Sequence, residues 1–568
     1  MHNAIARPPA PVNEPVLSYA PGSPERASLQ KALTEMRATE HTILPVIDGE
    51  RIETGRTGTL TSPHDLALTV GTFHKARPED VARAIASSVE ARHDWTRMAW
   101  SDRAAIFLRA AELLAGPYRD RMNAATMLGQ SKNAYQAEID AACELIDFLR
   151  YNVHFMREIY EEQPMSGPGV WNRTEYRGLE GFVFAVTPFN FTAIAANLPS
   201  APALMGNTVV WKPAPTQMLS AGVIMDLFEE AGLPPGVINL VPGDGADVGD
   251  PVLASEHLAG LHFTGSTATF HHLWQTIGSN LDRYRTYPRI VGETGGKDFI
   301  VAHESADPVA VATAIVRGSF EYQGQKCSAA SRVYIPQALW DDVQRSLAEQ
   351  LAEIRVGPVE DFGNFVNAVI DRRSFDKITG YVDRAQASDG VEVLHGGTYS
   401  DEAGYFIDPT VLVVEDPRYE TMEQELFGPV ATVYVVPEST SFEETLTLVD
   451  ETSPYALTGA VFARDRTALA LATDRLADAA GNFYLNDKPT GAVVGQQPFG
   501  GARGSGTNDK AGSSLNLLRW TSPRSIKETF VSPTHFGYPF LGADTDAARI
   551  AGESGGDGAT STSDALAP

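Results

Sequence analysis

The sequence predicts an α/β fold with two large lobes, on three observations. Short apolar runs alternate with helical segments over most of the chain. These runs are almost continuously apolar, as strands buried on both faces of a parallel sheet are. At 568 residues the chain is also long for a single core.

The elements follow in order. Residues 1–45 form a proline-bearing arm that leads into a short helical segment. Pro78-Glu79-Asp80 opens a helix that places Val81, Ile85 and Val89 on one face. Ser101-Asp102 is expected to cap a second helix through Ile106, Leu113 and Leu114. A third is expected near 135–155, carrying Cys143 and Glu144. Apolar runs then come at Phe182–Val186, Thr208–Trp211, Val237–Val241, Leu261–Phe263 and Ile290–Val291, with helical segments between them. They predict a doubly wound parallel sheet in a domain made of 46–165, 181–292 and 491–515. Ligands of such sheets bind beyond the carboxyl ends of the strands. Residues 293–490 form a second alternating block, with strands at Phe299–Ala302, Val333–Ile335 and Val430–Val436. Residues 166–180 and 516–540 are rich in Arg, Thr, Tyr and Trp and read as an extended ribbon suited to self-association. Residues 541–568 hold no aromatic residue and are expected to be a disordered acidic tail.

Composition excludes several classes. The formal charge of −27 argues against nucleic acid or an anionic membrane as partner. Gly181 to Trp211 has no charged residue or histidine, but Pro188, Pro199 and Pro202 interrupt it. It reads as a buried strand, loop and helix, not a membrane span. Met1 to Arg26 has no apolar signal core, and the chain has only two cysteines. A reducing, cytoplasmic setting is expected. No metal-ligand spacing occurs, and His271-His272 reads as a solvated helix face.

Chemistry concentrates around Cys327, in Gly324-Gln325-Lys326-Cys327-Ser328. A thiolate attacks carbonyl carbon well when nearby positive charge lowers its pKa, and Lys326 precedes it, with a helix start expected just after. The plain alternative is a buried apolar cysteine. Glu293 opens Glu293-Thr294-Gly295-Gly296-Lys297, where two glycines would let the backbone turn tightly. It could activate water, or pair with Lys297. Asn190, after a strand in Thr187-Pro188-Phe189-Asn190-Phe191, could donate to an oxyanion or make an Asx-turn. Gly265 and Ser266 lie between a strand and a helix, where amides face a pyrophosphate. Lys212, in Trp211-Lys212-Pro213, could hold ribose hydroxyls or sit in solvent. Glu425 and Phe427 in Glu425-Leu426-Phe427-Gly428-Pro429 could meet a second ribose and a nicotinamide. The glycine-rich Gly491-Ala492-Val493-Val494-Gly495 and Pro498-Phe499-Gly500-Gly501 suit a carboxylate, or are turns.

Taken together and in this order, these motifs resemble the aldehyde dehydrogenase superfamily. Tyr176-Arg177-Gly178-Leu179-Glu180-Gly181, Glu321-Tyr322-Gln323-Gly324-Gln325-Lys326-Cys327-Ser328-Ala329 and Gly495-Gln496-Gln497-Pro498-Phe499-Gly500-Gly501-Ala502 resemble its 1-pyrroline-5-carboxylate dehydrogenase branch. The resemblance runs to about residue 532. It implies a Rossmann-type cofactor domain, an α/β catalytic domain and an oligomerisation ribbon. It implies NAD as cofactor, and oxidation of L-glutamate γ-semialdehyde to L-glutamate in proline catabolism. Cys327 then matches the nucleophile, Asn190 with the Cys327 amide the oxyanion hole, and Glu293 the deacylation base. Lys212, Gly265, Ser266, Glu425 and Phe427 match cofactor contacts. Ser328, Gly491 and Ala492 match the carboxylate anchor, Phe191 and Phe499 its aromatic walls, and Glu144 and Lys326 a pair near the site. A homodimer or larger homo-oligomer is implied, with proline oxidised by a separate proline dehydrogenase. Two positions depart from the pattern. Ala492 lacks a hydroxyl that some members have, and Pro215 replaces a carboxylate that repels a 2′-phosphate.

Overall fold

The computed structural model describes residues 5–541, so most of the expected tail, from 542 onward, lies outside the described residues. The larger of two compact units comprises residues 1–159 and 178–522. It contains two seven-stranded sheets. In chain order the first holds β1 (Val46–Ile47), β2 (Glu50–Arg51), β3 (Phe182–Val186), β4 (Thr208–Lys212), β5 (Ile238–Leu240), β6 (Leu258–Thr264) and β7 (Arg289–Glu293). Their spatial order is β7-β6-β3-β4-β5-β1-β2. The five strands from β3 to β7 pair in parallel, and β1 and β2 add an antiparallel edge. Every residue of β4 is buried, which is why the run Thr208–Lys212 shows no alternation.

The second sheet holds β8 (Asp298–Ala302), β9 (Ala330–Pro336), β10 (Val391–His395), β11 (Thr410–Val414), β12 (Val430–Val436), β13 (Thr458–Phe462) and β14 (Asn482–Leu485). Their order is β10-β11-β12-β9-β8-β13-β14, with only β10 antiparallel. Alternate residues of β8 feed different cores. Ile300 packs with Val311 and Ile315, and Phe299 and Val301 pack with Leu446 and Leu469.

Several helices differ from expectation. The second begins at Trp100, and its cap position, Ala99, has no side chain able to accept. Ser101 and Asp102 instead fall inside the first turn, where Asp102 meets the positive end of the helix. A buried helix, Arg119–Gln130, escaped the sequence reading because its polar residues mask its periodicity. The expected third helix is composite. Ala134–Ala137 is α-helical, Glu138–Cys143 widens into a π-helix, and Glu144–Glu161 resumes the α form. Such π segments commonly mark functional sites.

The arm does not hang free. Leu17 N and Tyr19 Oη donate to Glu138, at 2.9 and 2.8 Å. Glu14 pairs with Arg119 at 2.6 Å. Asn13 Nδ2 donates to Asp147 and to the Val494 carbonyl, both at 2.8 Å.

The smaller unit takes residues 160–177 and the chain from 523. Val170–Arg177 and Ser522–Thr529 form its two-stranded ribbon, with Arg173–Glu528 and Arg524–Glu175 ion pairs at 2.9 and 2.6 Å. The ribbon is therefore shorter than expected. Ser514–Leu518 is helical, and Trp520 is fully buried against His262, with rings 4.7 Å apart. Burying Leu517 and Trp520 commits that stretch to the larger unit's core.

Candidate active site

Cys327 sits on a loop held in unusual backbone. Tyr322, Gln323 and Gly324 before it have φ of +51°, +54° and +66°. Two non-glycine residues in succession persist there only where their surroundings hold them. Tyr322 Oη donates to the Gln130 carbonyl at 3.0 Å. Gln323 Nε2 donates to the Ser131 and Ala368 carbonyls, each at 2.9 Å. At Gly324 any Cβ would stand 2.2 Å from the Gly428 carbonyl oxygen, so only glycine closes the loop. No helix starts after Cys327. The chain turns and enters β9 at Ala330.

Asn190 reaches this loop from the end of β3, where its Nδ2 donates to the Gln325 carbonyl at 3.0 Å. The side chain is buried and, among the described residues, has a second N–H uncommitted.

The electrostatics reverse one expectation. Burial raises the Cys327 thiol well above its ordinary pKa, and Asp298, Glu293 and Glu425 push the same way. Lys326 does not offset this, because its ammonium lies 3.4 Å from Asp140 and 3.6 Å from Glu321. The thiol is therefore protonated here, and a base must take its proton.

Glu293 ends β7, and its Oε2 accepts from the Gly501 amide at 2.9 Å. Burial raises its pKa well above the usual carboxylate range, only partly opposed by that amide and Lys510. A carboxylate so raised is a stronger base near neutrality. Lys297 is not its partner: among the described residues, the Lys297 ammonium makes no hydrogen bond. The glycines of this motif do not turn the chain, for neither has positive φ. They permit close approach. A Cβ on Gly295 would stand 2.3 Å from Glu425 Oε2, and one on Gly296 would stand 2.4 Å from the Cys327 carbonyl. The Gly296 amide donates to Glu425 Oε1 at 3.0 Å.

Two cavities border Cys327. The larger, about 680 Å³, is also lined by Glu144, Phe191, Lys326, Ser328, Gly491, Ala492 and Phe499. It thus gathers every substrate-side candidate. Glu293 does not line it. A smaller crevice joins Cys327 to Glu425 and Phe427. Phe427 is held at φ +62° with its ring edge-on to Phe189, 5.9 Å away.

Glu144 and Lys326 both line the Cys327 cavity, and the Lys326 ammonium lies nearest Asp140 and Glu321. Burial and Asp140 raise the Glu144 pKa well above the usual carboxylate range, opposed in part by Lys132 and Lys326, and Glu144 lines the cavity. Sequence reading missed Lys132, Asp140, Glu321 and Lys488. Glu321 opens the motif around Cys327 and Lys488 lies just before Gly491, whereas Lys132 and Asp140 adjoin no motif and carried no signal.

Lys212 and Ser266 stand at the carboxyl ends of β4 and just beyond β6, in one sheet. Ser266 Oγ accepts from Thr269 N at 3.3 Å and caps the helix Thr267–Ser279. The Gly265 amide donates to the Glu293 carbonyl at 3.2 Å. Lys212 is buried and makes no ion pair among the described residues.

The sequence profile of the aldehyde dehydrogenase family matches residues 52–526. The chain belongs to this family. It is 54% identical over 530 residues to the Delta-1-pyrroline-5-carboxylate dehydrogenase of Agaricus bisporus, covering 93% of this chain and 96% of that protein. It is 49% identical over 530 residues to the mitochondrial Delta-1-pyrroline-5-carboxylate dehydrogenase of Homo sapiens, covering 93% and 94%. The crystal structure of Delta-pyrroline-5-carboxylate dehydrogenase from Mycobacterium tuberculosis bound with NAD is similar at a TM-score of 0.92 and 56% identity, covering 95% of this chain and 100% of that one. The α/β fold of an aldehyde dehydrogenase with parallel sheets is what the chain adopts.

A dinucleotide fits the residues present in this aldehyde dehydrogenase. Lys212 offers an unpaired ammonium at a strand end, the helix behind Ser266 presents its N-terminus, and Gly295 leaves room for Glu425. Among the described residues no group of three His, Cys, Asp or Glu is arranged to hold a metal ion. No described helix is long and apolar enough to cross a membrane.

Proposed function

We propose that this aldehyde dehydrogenase oxidises L-glutamate γ-semialdehyde, the open form of 1-pyrroline-5-carboxylate, to L-glutamate with NAD. One observation carries the reading: Cys327 borders both a cavity lined by Ser328, Gly491 and Ala492 and a crevice lined by Glu425 and Phe427. The substrate's α-carboxylate is held by Ser328 and by the amides of Gly491 and Ala492, and its stem lies between Phe191 and Phe499.

A water takes the Cys327 proton and passes it to solvent, and Sγ attacks the aldehyde carbon. Asn190 Nδ2 and the Cys327 amide donate to the resulting oxyanion. Lys212, Gly265, Ser266, Glu425 and Phe427 would hold NAD, which would supply the hydride acceptor for this oxidation. A thioester remains on Cys327. Glu293 takes a proton from water, which adds to the thioester carbon. The C–S bond breaks, glutamate departs and the thiol is restored.

The ribbon supports a homodimer or larger assembly, since Trp171, Phe530 and Val531 expose apolar surface there. A single-subunit mass in solution would exclude it. Two free cysteines suit a reducing, cytoplasmic setting, which fractionation would check.

The deciding experiment compares initial rates of NADH and NADPH formation with L-1-pyrroline-5-carboxylate, propanal and succinic semialdehyde. A strong preference for the pyrroline substrate is expected. Equal or better rates with the other aldehydes would overturn the carboxylate reading and leave the cysteine chemistry standing. The two cofactor rates measure what Pro215 permits.

A further inference from the structure

Five charges alternate beside the Cys327 cavity, four of them buried and Lys488 half-buried, and the mechanism above leaves the far end of the series unused. Lys132, fully buried, donates to Asp140. Asp140 lies 3.4 Å from Lys326, Lys326 lies 3.6 Å from Glu321, and Glu321 lies 3.8 Å from Lys488. Three ammoniums against two carboxylates leave one positive charge in excess.

The excess is not evenly shared. Within 4 Å Lys326 has two carboxylates, whereas Lys488 has one, beyond hydrogen-bond distance at 3.8 Å, with Asp487 and Asp140 acting on it from farther away. Lys488 Nζ donates one N–H, to the Thr490 carbonyl at 2.8 Å. An ammonium has three donors, so two remain uncommitted among the described residues. Lys488 lines the same cavity as Cys327, Ser328 and Gly491.

Its position against the anchor loop is close. Gly491 has φ +91°, and a Cβ there would stand 2.7 Å from Lys488 Nζ. Thr490, whose carbonyl Lys488 binds, also shares a 2.8 Å hydrogen bond with the Ser328 hydroxyl. One ammonium thus adjoins Gly491 directly and Ser328 through Thr490.

We infer that Lys488 determines specificity for carboxylate-bearing aldehydes, with its ammonium binding the substrate's α-carboxylate beneath the Gly491 turn. The inference rests on the function proposed above. Ser328 and the loop amides are neutral donors, and an ammonium adds the attraction of a full opposite charge to the carboxylate.

The test is the ratio of kcat/KM for L-1-pyrroline-5-carboxylate over propanal, with NAD saturating. Wild type, Lys488→Met, Lys488→Gln, Lys488→Arg and Arg317→Met are compared. Arg317 is an exposed cation on the wall of the same cavity. Loss of one charge-assisted hydrogen bond should lower the ratio roughly 10- to 100-fold in the Met and Gln variants, mainly through KM for the pyrroline substrate. Arginine should restore most of it. Equal losses with both substrates, leaving the ratio unchanged, would show a structural role and overturn the inference. So would a ratio that falls only in Arg317→Met. A wild type without preference for the pyrroline substrate would defeat the proposed function itself. A wild-type preference that survives in Lys488→Met would defeat this assignment alone.

Discussion

Replacing Asp140 by asparagine tests the buried charges as a unit. The carboxylate is 7% exposed, is hydrogen-bonded to Lys132 Nζ, and lies 3.4 Å from Lys326 Nζ. Asparagine keeps the shape and removes the charge. At an effective dielectric of about 20, a unit-charge contact at this separation is worth about 5 kcal/mol. Two effects reduce the loss. The desolvation of Asp140 disappears with its charge, and Lys132 can shed its proton. Burial already lowers Lys132 to about 8, despite Asp140. Breaking a buried pair from one side costs about 3–5 kcal/mol, and we expect that loss at pH 7.

The pH dependence identifies the group responsible. The folded-state pKa of Lys132 lies below its unfolded value of 10.5, so between the two the folded state binds fewer protons and stability rises with pH. In wild type this window opens at about 8. Without Asp140 it opens lower, so the gap between variant and wild type should shrink from pH 7 to pH 9. Urea midpoints at both values measure it. A loss below about 1 kcal/mol at pH 7 would refute the buried pairing. A gap that stays constant with pH would refute Lys132 as the titrating group.

Asn190→Ala removes an oxyanion donor and the tie to the Gln325 carbonyl, and should lower kcat by roughly 10²- to 10³-fold in steady-state assays. Glu293→Gln should still form the thioester, giving a burst of about one NADH per site and then turnover slowed by roughly 10²- to 10⁴-fold in stopped flow. Burial raises Asp298 from 3.8 to about 8, so its stabilising effect at low pH is lost between those values. Asp298→Asn mimics the protonated form and keeps the acceptor for Thr458 N. Its Tm advantage over wild type should therefore grow from pH 4 to pH 8 and level off above, as calorimetry would show.

What the sequence determined by itself was local. The loop around Cys327 and the glycines at 295, 296 and 491 were legible because a backbone that closes tightly, or admits another group closely, restricts residue type at contiguous positions. The parallel strands were legible because burial on both faces leaves an unbroken apolar run. The tertiary structure decided what those groups face. That Gly295 makes room for Glu425 and Gly296 for the Cys327 carbonyl, and neither for a turn, depends on segments from other parts of the chain. That Lys326 faces Asp140 and Glu321, leaving the thiol protonated, depends on a π-helical turn and a 3₁₀ turn meeting in space. A charge carries no mark of its partner in sequence. Coulomb energy and desolvation depend on separation and burial, and only the folded chain sets both.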